Sequence, residues 1–274
     1  MCSIFKFGNC MGRNYDNDEA AEELFRFIEA NQFDNEYRII GVASSFIQEY
    51  PLLYDGMNEE GLCCAALDFP DDAQYEEPSN DNDEIPAYDF VFNILGHCAS
   101  VDEVKETMDF NTIIDEQYDD DTPNADLHWF VCDQENSIII EQTNKGLNWY
   151  EGEVMTNSPP YFVQQAQYEE QKEDIGDVNM PEEKGVETVY LPGDYTSMGR
   201  FQRLSWLKEQ MENSDNPFDD RASTYHLLKS VEQIYGVTAI DDKFEYTIYS
   251  IVYDMNTKNV ILKKYDDSIY YENV

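Results

Sequence analysis

The chain opens with Met1-Cys2-Ser3-Ile4-Phe5, and the thiol in second position decides how the rest of the sequence is interpreted. Initiator methionine is normally removed when the next side chain is small, and cysteine is small enough. Removal of Met1 would leave Cys2 with both a thiol and a free α-amino group. The thiolate is the nucleophilic form of cysteine, and an α-amine with a pKa of about 7.7–8.0 can accept the thiol proton. Cys2 therefore combines a candidate nucleophile and a general base in one residue.

The composition is that of a folded and strongly acidic protein. The 274 residues include 58 Asp and Glu against 17 Lys and Arg, a net charge of −41, and 42% of them are hydrophobic. A field of this sign repels phosphate backbones and anionic membranes, so we expect no nucleic-acid partner and no membrane partner. High-salt adaptation and general solubility are alternative explanations of the acidity. We expect a single domain, residues 1–274, and a cytoplasmic location, since no apolar leader precedes Cys2.

The six cysteines do not form the pattern of a disulfide or metal framework. They are Cys2, Cys10, Cys63, Cys64, Cys98 and Cys132. Cys63 and Cys64 are adjacent in an apolar run, where successive side chains of a strand point to opposite faces. We therefore expect reduced thiols. The sequence contains three His, no Cys-x-x-Cys pair and no His-Glu-x-x-His motif, so we expect no metal and no cofactor.

Apolar runs and turn residues predict strands at both ends of the chain and helices between them. The predicted strands are Cys2–Phe7, Arg38–Phe46, Gly61–Phe69, Leu127–Asp133, Ser137–Thr143, Leu147–Tyr150, Tyr246–Asp254, Asn259–Tyr265 and Ser268–Glu272. The predicted helices are Glu19–Ala30, one that Ser100 and Glu103 open as a capping box, Arg200–Met211, and Ser223–Tyr235 with Ser223 as N-cap. This order favours an α+β layered domain over a doubly wound sheet.

Three acidic stretches interrupt this pattern, namely Asp71–Glu84, Gln117–Asp126 and Glu169–Lys184. We interpret them as loops, because apolar strands resume after each one. The first directly follows a candidate active-site strand, so we expect it to form a wall of a substrate pocket.

Several motifs join Cys2 in a fixed order along the chain. They are Gly12-Arg13-Asn14-Tyr15-Asp16, Asp55-Gly56-Met57-Asn58-Glu59-Glu60-Gly61-Leu62, Leu67-Asp68-Phe69-Pro70, Leu127-His128-Trp129-Phe130, Ile140-Glu141-Gln142-Thr143, Met155-Thr156-Asn157-Ser158-Pro159, and the segment from Leu191 to Phe201. Each motif is weak alone, but the set in this order resembles the choloylglycine hydrolase family, which holds bile salt hydrolases and penicillin V acylases. The resemblance runs from Cys2 to about Tyr253. It implies an N-terminal-nucleophile amidase with a four-layer αββα fold, two stacked and mainly antiparallel sheets between helix layers.

The resemblance also implies a role for each of five residues. Cys2 would attack the amide carbonyl, and its own amine would accept the thiol proton. Arg13 would place a cation near the sulfur and favour the thiolate. Asp16 would hold the N-terminal amine, Asn157 would donate its side-chain NH₂ to the oxyanion, and Arg200 would complete the polar network. His128, a mid-strand residue next to Trp129, is assigned no catalytic role.

The chain departs from the family pattern at Asp68, where Asn or Tyr is usual. Its backbone N–H can still serve as an oxyanion donor, but an ionised carboxylate there would oppose the negative charge that develops on the carbonyl. We expect Asp68 either to turn outward toward the leaving group or to be protonated, and to disfavour anionic glycine and taurine amides. Gly199, where Ser is usual, and a chain shorter than typical members are further departures.

The predicted function is hydrolysis of linear amides that carry an apolar acyl group. Conjugated bile salts are the first candidate substrates, followed by phenoxyacetyl-type penicillins and N-acyl homoserine lactones. A non-catalytic binding protein on the same scaffold is an alternative, which retention of Met1 would favour because it removes the free amine. An acidic structural or ion-binding protein is a third, although the acidic runs lack the spacing of a calcium loop. The resemblance also implies a homo-oligomer, with the tetramer as the state often found in the family.

Overall fold

A computed structural model describes residues 1–18, 24–44, 49–79, 83–120, 122, 124–176, 191–240 and 242–274. Its strands are β1 Cys2–Phe7, β2 Cys10–Asn17, β3 Leu24–Ile28, β4 Ile39–Ala43, β5 Leu53–Asn58, β6 Cys63–Asp68, β7 Glu84–Pro86, β8 Thr112–Ile114, β9 Leu127–Cys132, β10 Ser137–Thr143, β11 Gly146–Glu151, β12 Val154–Thr156, β13 Thr238–Ile240, β14 Lys243–Asp254, β15 Asn259–Lys264 and β16 Ile269–Asn273. Its α-helices are α1 Phe90–His97, α2 Val101–Phe110, α3 Tyr161–Gly176, α4 Ser197–Glu212 and α5 Asp220–Ser230, and Ala87–Asp89 forms a 3₁₀ turn.

Two antiparallel sheets form the centre of the molecule. The first has the order β12-β1-β2-β14-β15-β16, with β13 paired to β14, and the second has the order β11-β10-β9-β6-β5-β4-β3. The short strands β7 and β8 pair in parallel beside them. Strand β1 lies between β12 and β2, with Ser3 opposite both Thr156 and Asn14. The amino-terminal end of β1 is therefore held on both sides by backbone ladders.

Three apolar layers hold the helices and sheets together. Side chains such as Ile4 of the first sheet and Met57 of the second meet in the layer between the sheets. The opposite face of the first sheet, with Phe5, packs against α4 and α5. The opposite face of the second sheet packs against α1 and α2. The order of layers is helix, sheet, sheet, helix, so the predicted α+β, αββα architecture is confirmed.

Alternation along each strand assigns its side chains to these layers, as a period of two requires. In β1, Cys2 and Ile4 face the layer between the sheets, whereas Phe5 and Phe7 face the helices. In β6, Cys63 faces the layer between the sheets and Cys64 faces α1. This confirms the prediction that the adjacent thiols point to opposite faces. All six cysteines are free and buried.

Strands β1 and β10 have the predicted bounds, and the other seven predicted strands are present with bounds that differ by a few residues. Ser100 is confirmed as an N-cap, since its side chain accepts a hydrogen bond from Glu103 N. The reciprocal bond of the predicted capping box is shifted by one residue, because Glu103 Oε2 accepts from Ala99 N. The helix predicted at Arg200 begins at Ser197, where the Thr196 hydroxyl accepts from Gly199 N.

Three predictions of secondary structure are wrong. Glu19–Ala30 was predicted as a helix, but its described part contains β3, an edge strand that pairs with β4. The helix predicted over Ser223–Tyr235 spans Asp220–Ser230, because Asp219 rather than Ser223 caps it and accepts a hydrogen bond from Ala222 N. Glu169–Lys184 was predicted as a loop, but its residues up to Gly176 continue α3.

Parts of five predicted segments lie outside the described residues. These parts are 19–23 of the predicted helix, 45–46 of the strand Arg38–Phe46, and 80–82, 121 with 123, and 177–184 of the three acidic stretches. In the described part of the chain, no helix is both long and apolar enough to cross a membrane.

Candidate active site

Cys2 lies at the wall of a pocket of about 370 Å³. The pocket is lined by Cys2, Arg13, Tyr15, Ser44, Leu52, Leu53, Tyr54, Ala66, Asp68, Tyr88, Thr122, Ala125 and Leu127. Most of these side chains are aliphatic or aromatic, so the pocket suits an apolar group. The predicted wall from Asp71–Glu84 is not found among the described residues. Thr122 and Ala125 of the second acidic stretch line the pocket instead.

Arg13 presents its guanidinium to the sulfur of Cys2. It lies on β2, and its Nη2 is 3.9 Å from Cys2 Sγ. Nη2 also donates to Ala66 O at 2.7 Å, and Nη1 donates to Tyr54 O at 2.7 Å. Nη1 further forms an ion pair with Asp55 on β5, in which both side chains are almost fully buried. The cation is therefore fixed in orientation, with one edge toward the thiol.

Both oxygens of Asp55 accept hydrogen bonds from tyrosine hydroxyls, that of Tyr249 at 2.6 Å and that of Tyr253 at 2.5 Å. Burial and the Asp55 charge raise the pKa of both tyrosines well above the usual range, so both remain donors. A buried charge is tolerated when it is paired and hydrogen-bonded in this way. Asp55 therefore positions Arg13.

Two opposing effects act on the thiol of Cys2. Burial raises its pKa because it penalises the charged thiolate, while Arg13 and the positive chain terminus lower it. Burial is the larger effect, and the net pKa lies above the ordinary value. Proton transfer from sulfur thus needs a base close by.

Asp16 lies beside the amino terminus at the end of β2. Its backbone oxygen accepts from the Met1 amine at 3.2 Å and is 4.0 Å from Cys2 Sγ. One carboxylate oxygen accepts from the Thr247 hydroxyl at 2.6 Å, and the other has no hydrogen-bond partner among the described residues. Burial raises the pKa of Asp16 to about 6. The Met1 amine also pairs with Glu245 at 2.8 Å.

Asn157 and Arg200 form hydrogen bonds with the backbone of Cys2. Asn157 Oδ1 accepts from Cys2 N at 2.7 Å and from Arg200 Nη2 at 2.9 Å, which fixes the orientation of the amide. Arg200 Nη2 also donates to Cys2 O at 3.0 Å, and its Nε donates to the Ser3 hydroxyl at 3.0 Å. Asn157 Nδ2 donates one hydrogen to Asp68 O at 2.8 Å. An amide NH₂ has two hydrogens, so Nδ2 can donate one further hydrogen bond.

The side chain of Asp68 is exposed and borders the pocket at the end of β6. This exposure agrees with an outward orientation, and the contact of Asp68 with a leaving group stays a prediction. Gly199 also has a local explanation. A Cβ at this position would lie 2.5 Å from Asp194 N and 2.8 Å from Asp194 O, so the close approach of two backbones requires glycine.

The structure brings all six predicted site residues together around the start of β1. Cys2, Arg13, Asn157 and Arg200 are linked by direct contacts, Asp16 lies beside the terminus, and Asp68 borders the pocket. Sequence reasoning missed Asp55 and Thr247. Asp55 was part of a quoted motif, and a carboxylate in an apolar stretch is a signal that a cation must pair with it. Nothing in the sequence around Thr247 marks it.

Comparisons with known proteins agree on one family. A model of linear amide C–N hydrolases, choloylglycine hydrolase family, matches residues 12–271. A bile salt hydrolase/transferase of Lactiplantibacillus plantarum is 31% identical and covers 98% of this chain and 90% of its own. A bile salt hydrolase/transferase of Clostridium perfringens is 32% identical, over 87% of this chain and 80% of its own.

Solved structures show the same similarity. A mutant of the conjugated bile acid hydrolase of Clostridium perfringens superposes with a TM-score of 0.89 at 26% identity, covering 100% of this chain and 92% of its own. Penicillin V acylase of Agrobacterium tumefaciens superposes with a TM-score of 0.78 at 20% identity, covering 100% and 86%. The second likeness is one of fold alone. Both solved structures have the N-terminal-nucleophile hydrolase fold.

Proposed function

Since the chain belongs to the choloylglycine hydrolase family and is a linear amide C–N hydrolase, we propose that Cys2 is its nucleophile once Met1 has been removed. The observation that carries this proposal is the 3.9 Å contact between Arg13 Nη2 and Cys2 Sγ at the wall of the apolar pocket. With Met1 attached, Cys2 N is a peptide nitrogen without basic character. Removal of Met1 converts it into an amine on the same residue as the thiol.

In the proposed first step, the α-amine of Cys2 accepts the thiol proton and the thiolate attacks the carbonyl carbon of the amide. A carbon–sulfur bond forms, and the carbonyl oxygen becomes an oxyanion. The second hydrogen of Asn157 Nδ2 and the backbone N–H of Asp68 are the proposed donors to this oxyanion. A single donor of this kind contributes about 2.7–4 kcal/mol to transition-state stabilisation.

Collapse of the oxyanion breaks the carbon–nitrogen bond and leaves a thioester on Cys2. The leaving amine takes the proton held by the Cys2 ammonium. Water then attacks the thioester, with the same amine as base, and the carboxylic acid leaves. One Asp16 oxygen has no partner within the described part of the chain, which supports the proposed role, since it can accept a hydrogen bond from the new ammonium group.

Conjugated bile salts are the proposed substrates. The support is the naming of the relatives as bile salt hydrolases and the apolar lining of the pocket, with Leu52, Leu53, Tyr54 and Leu127. Its volume of about 370 Å³ lies in the range of roughly 300–1,000 Å³ that small-molecule sites occupy. Penicillin V and N-acyl homoserine lactones stay alternatives, because their apolar acyl groups suit the same lining.

The test is a substrate panel combined with an intact mass. Conjugated bile salts, penicillin V and acyl homoserine lactones are incubated with wild type and with Cys2→Ala, and the released amine is measured. Loss of Met1 and release of amine by wild type alone would support the proposal. Retained Met1 together with binding but no turnover would favour a non-catalytic binding protein.

A homo-oligomer and a cytoplasmic location are also part of the proposal. Edge strand β16 exposes Ile269, Tyr270 and Tyr271, which supports contact with a second copy. Six free thiols support a reducing compartment. Sedimentation analysis of wild type and Tyr271→Lys would test the first point, with a smaller particle expected for the variant.

A further inference from the structure

His128 and Glu141 form a buried pair that the proposed reaction does not use. They lie on the neighbouring strands β9 and β10, with His128 Nδ1 3.2 Å from Glu141 Oε1, and their side chains are 0% and 1% exposed. Neither residue lines the pocket of Cys2. Burying two ionisable groups is costly unless they make specific contacts. The contacts of this pair lead to the two proposed oxyanion donors.

Glu141 holds the start of α3. Its Oε1 accepts from the backbone N–H of Tyr161, the first residue of that helix, at 2.9 Å. The first N–H groups of a helix have no partner within it, and a carboxylate there also interacts favourably with the helix dipole. One turn further, Gln164 Nε2 donates to Asn157 O and to Pro159 O. The position of α3 therefore fixes the turn that carries Asn157.

His128 holds the segment that carries Asp68. Its imidazole stacks on Phe69 with ring centroids 4.3 Å apart and planes at 7°, and Phe69 is fully buried. Two hydrogen bonds then join this segment to the Asn157 turn. Asn157 Nδ2 donates to Asp68 O at 2.8 Å, and the Ser158 hydroxyl donates to Pro70 O at 2.8 Å.

We propose that His128 and Glu141 are positioning residues that set the spacing between the Asn157 amide and the backbone N–H of Asp68. This inference rests on the proposed function, in which these two groups bind the oxyanion. The imidazole of His128 contacts Phe69, next to Asp68, and the carboxylate of Glu141 contacts the start of α3, which positions Asn157. Its loss displaces the donors from each other without removing either one. The effect falls on kcat, because the oxyanion exists only after the substrate is bound.

The first test compares Glu141→Leu with Glu141→Gln and with the matched control Gln142→Leu. Gln142 is buried on the same strand, and its side chain bonds Ile113 N and O on the other face of the sheet. We expect Glu141→Leu to lower kcat by about 10- to 100-fold with KM changed less than about threefold, since small misplacements near the reacting atoms cost this much. Glu141→Gln keeps an acceptor oxygen for Tyr161 N–H, and we expect it to retain most of kcat. Gln142→Leu should lower stability and leave kcat unchanged.

A second test leaves Glu141 in place and removes the hydrogen that it accepts. Tyr161→Pro and Tyr161→Ala both lose the ring, but only proline lacks the N–H, and proline is tolerated at the first position of a helix. We expect kcat of the proline variant to be about fivefold or more below that of the alanine variant, at equal KM. This comparison applies even if Glu141→Leu does not fold.

Equal kcat for the proline and alanine variants would overturn the proposal, as would a Glu141→Leu enzyme with the kcat of wild type. A failure of the proposed function would give a different result from a failure of this inference. In that case, wild type itself would release no amine, or Cys2→Ala would release as much as wild type does.

Discussion

The double variant Arg13→Met with Asp55→Asn removes the cation beside Cys2 without leaving its buried partner charged. In wild type, the hydroxyls of Tyr249 and Tyr253 donate to the two carboxylate oxygens of Asp55. Asn at position 55 keeps an oxygen that can accept from these hydroxyls. Arg13→Met alone would leave Asp55 buried and unpaired, an arrangement that costs about 3–5 kcal/mol. The pair of changes therefore isolates the electrostatic effect on the thiol.

The expected size of this effect follows from the 3.9 Å separation of Arg13 Nη2 and Cys2 Sγ. Two unit charges at this distance interact by about 4 kcal/mol at an effective dielectric constant of 20 and by about 1 kcal/mol in water. One pKa unit corresponds to about 1.4 kcal/mol, so the pKa of Cys2 should rise by about one to three units. Thiolate at neutral pH, and with it the acylation rate, should fall at least about tenfold.

The assay is the rate of alkylation by iodoacetamide as a function of pH, followed by intact mass. Cys2→Ala gives the background of the other five cysteines, which are buried and do not line the pocket. A midpoint that moves by less than about 0.3 unit, equivalent to about 0.4 kcal/mol, would refute the assignment of Arg13 to the thiolate.

Three further predictions concern specificity, packing and pH. Asp68→Asn should raise kcat/KM for taurine conjugates relative to a matched amide with a cationic amine; an unchanged ratio would show that the Asp68 charge does not reach the substrate. Gly199→Ser should lower the free energy of unfolding by about 1–3 kcal/mol in denaturant titration, because the backbone of Asp194 leaves no room for a Cβ. Burial raises the pKa of Asp89 to about 6 in the folded state, so its proton stabilises the fold at low pH, and this contribution is lost as pH rises from about 4 through 6. The free energy of unfolding of Asp89→Asn minus that of wild type should therefore rise by up to about 3 kcal/mol as pH increases from 4 to 7. A difference that stays constant over this range would count against the raised pKa of Asp89.

The sequence predicted the strands of the core better than its edges and helices. Cys2–Phe7 was predicted with its observed bounds because it is short, apolar and rich in strand formers. Phe25, Phe27 and Ile28 satisfy a helical spacing as well as a strand spacing, and only pairing with β4 decides between the two. Phe90–His97 was missed because it is a short and mostly apolar run, which periodicity alone does not distinguish from a buried strand.

The residues of the candidate site were predicted from the joint order of their motifs, but the side-chain contacts that hold them in position were not. Arg13 and Asp55 are 42 residues apart, and only the stacking of the two sheets makes them an ion pair. Thr247 and Asp16 are 231 residues apart, and they meet because β14 pairs with β2 in the first sheet. His128 was assigned no catalytic role from the sequence, and its contact with Phe69 was not visible there. Long-range contacts of this kind depend on topology, which local patterns do not contain.

Trapping of the acyl-enzyme tests the proposed nucleophile most directly. Wild type is mixed with a conjugated bile salt, quenched in acid within one turnover and analysed by intact mass and peptide mapping. We expect a chain without Met1 that carries one acyl group as a thioester on Cys2, and no such adduct on Cys2→Ala. Steady release of amine by Cys2→Ala, or an acyl group mapped to any other residue, would contradict it.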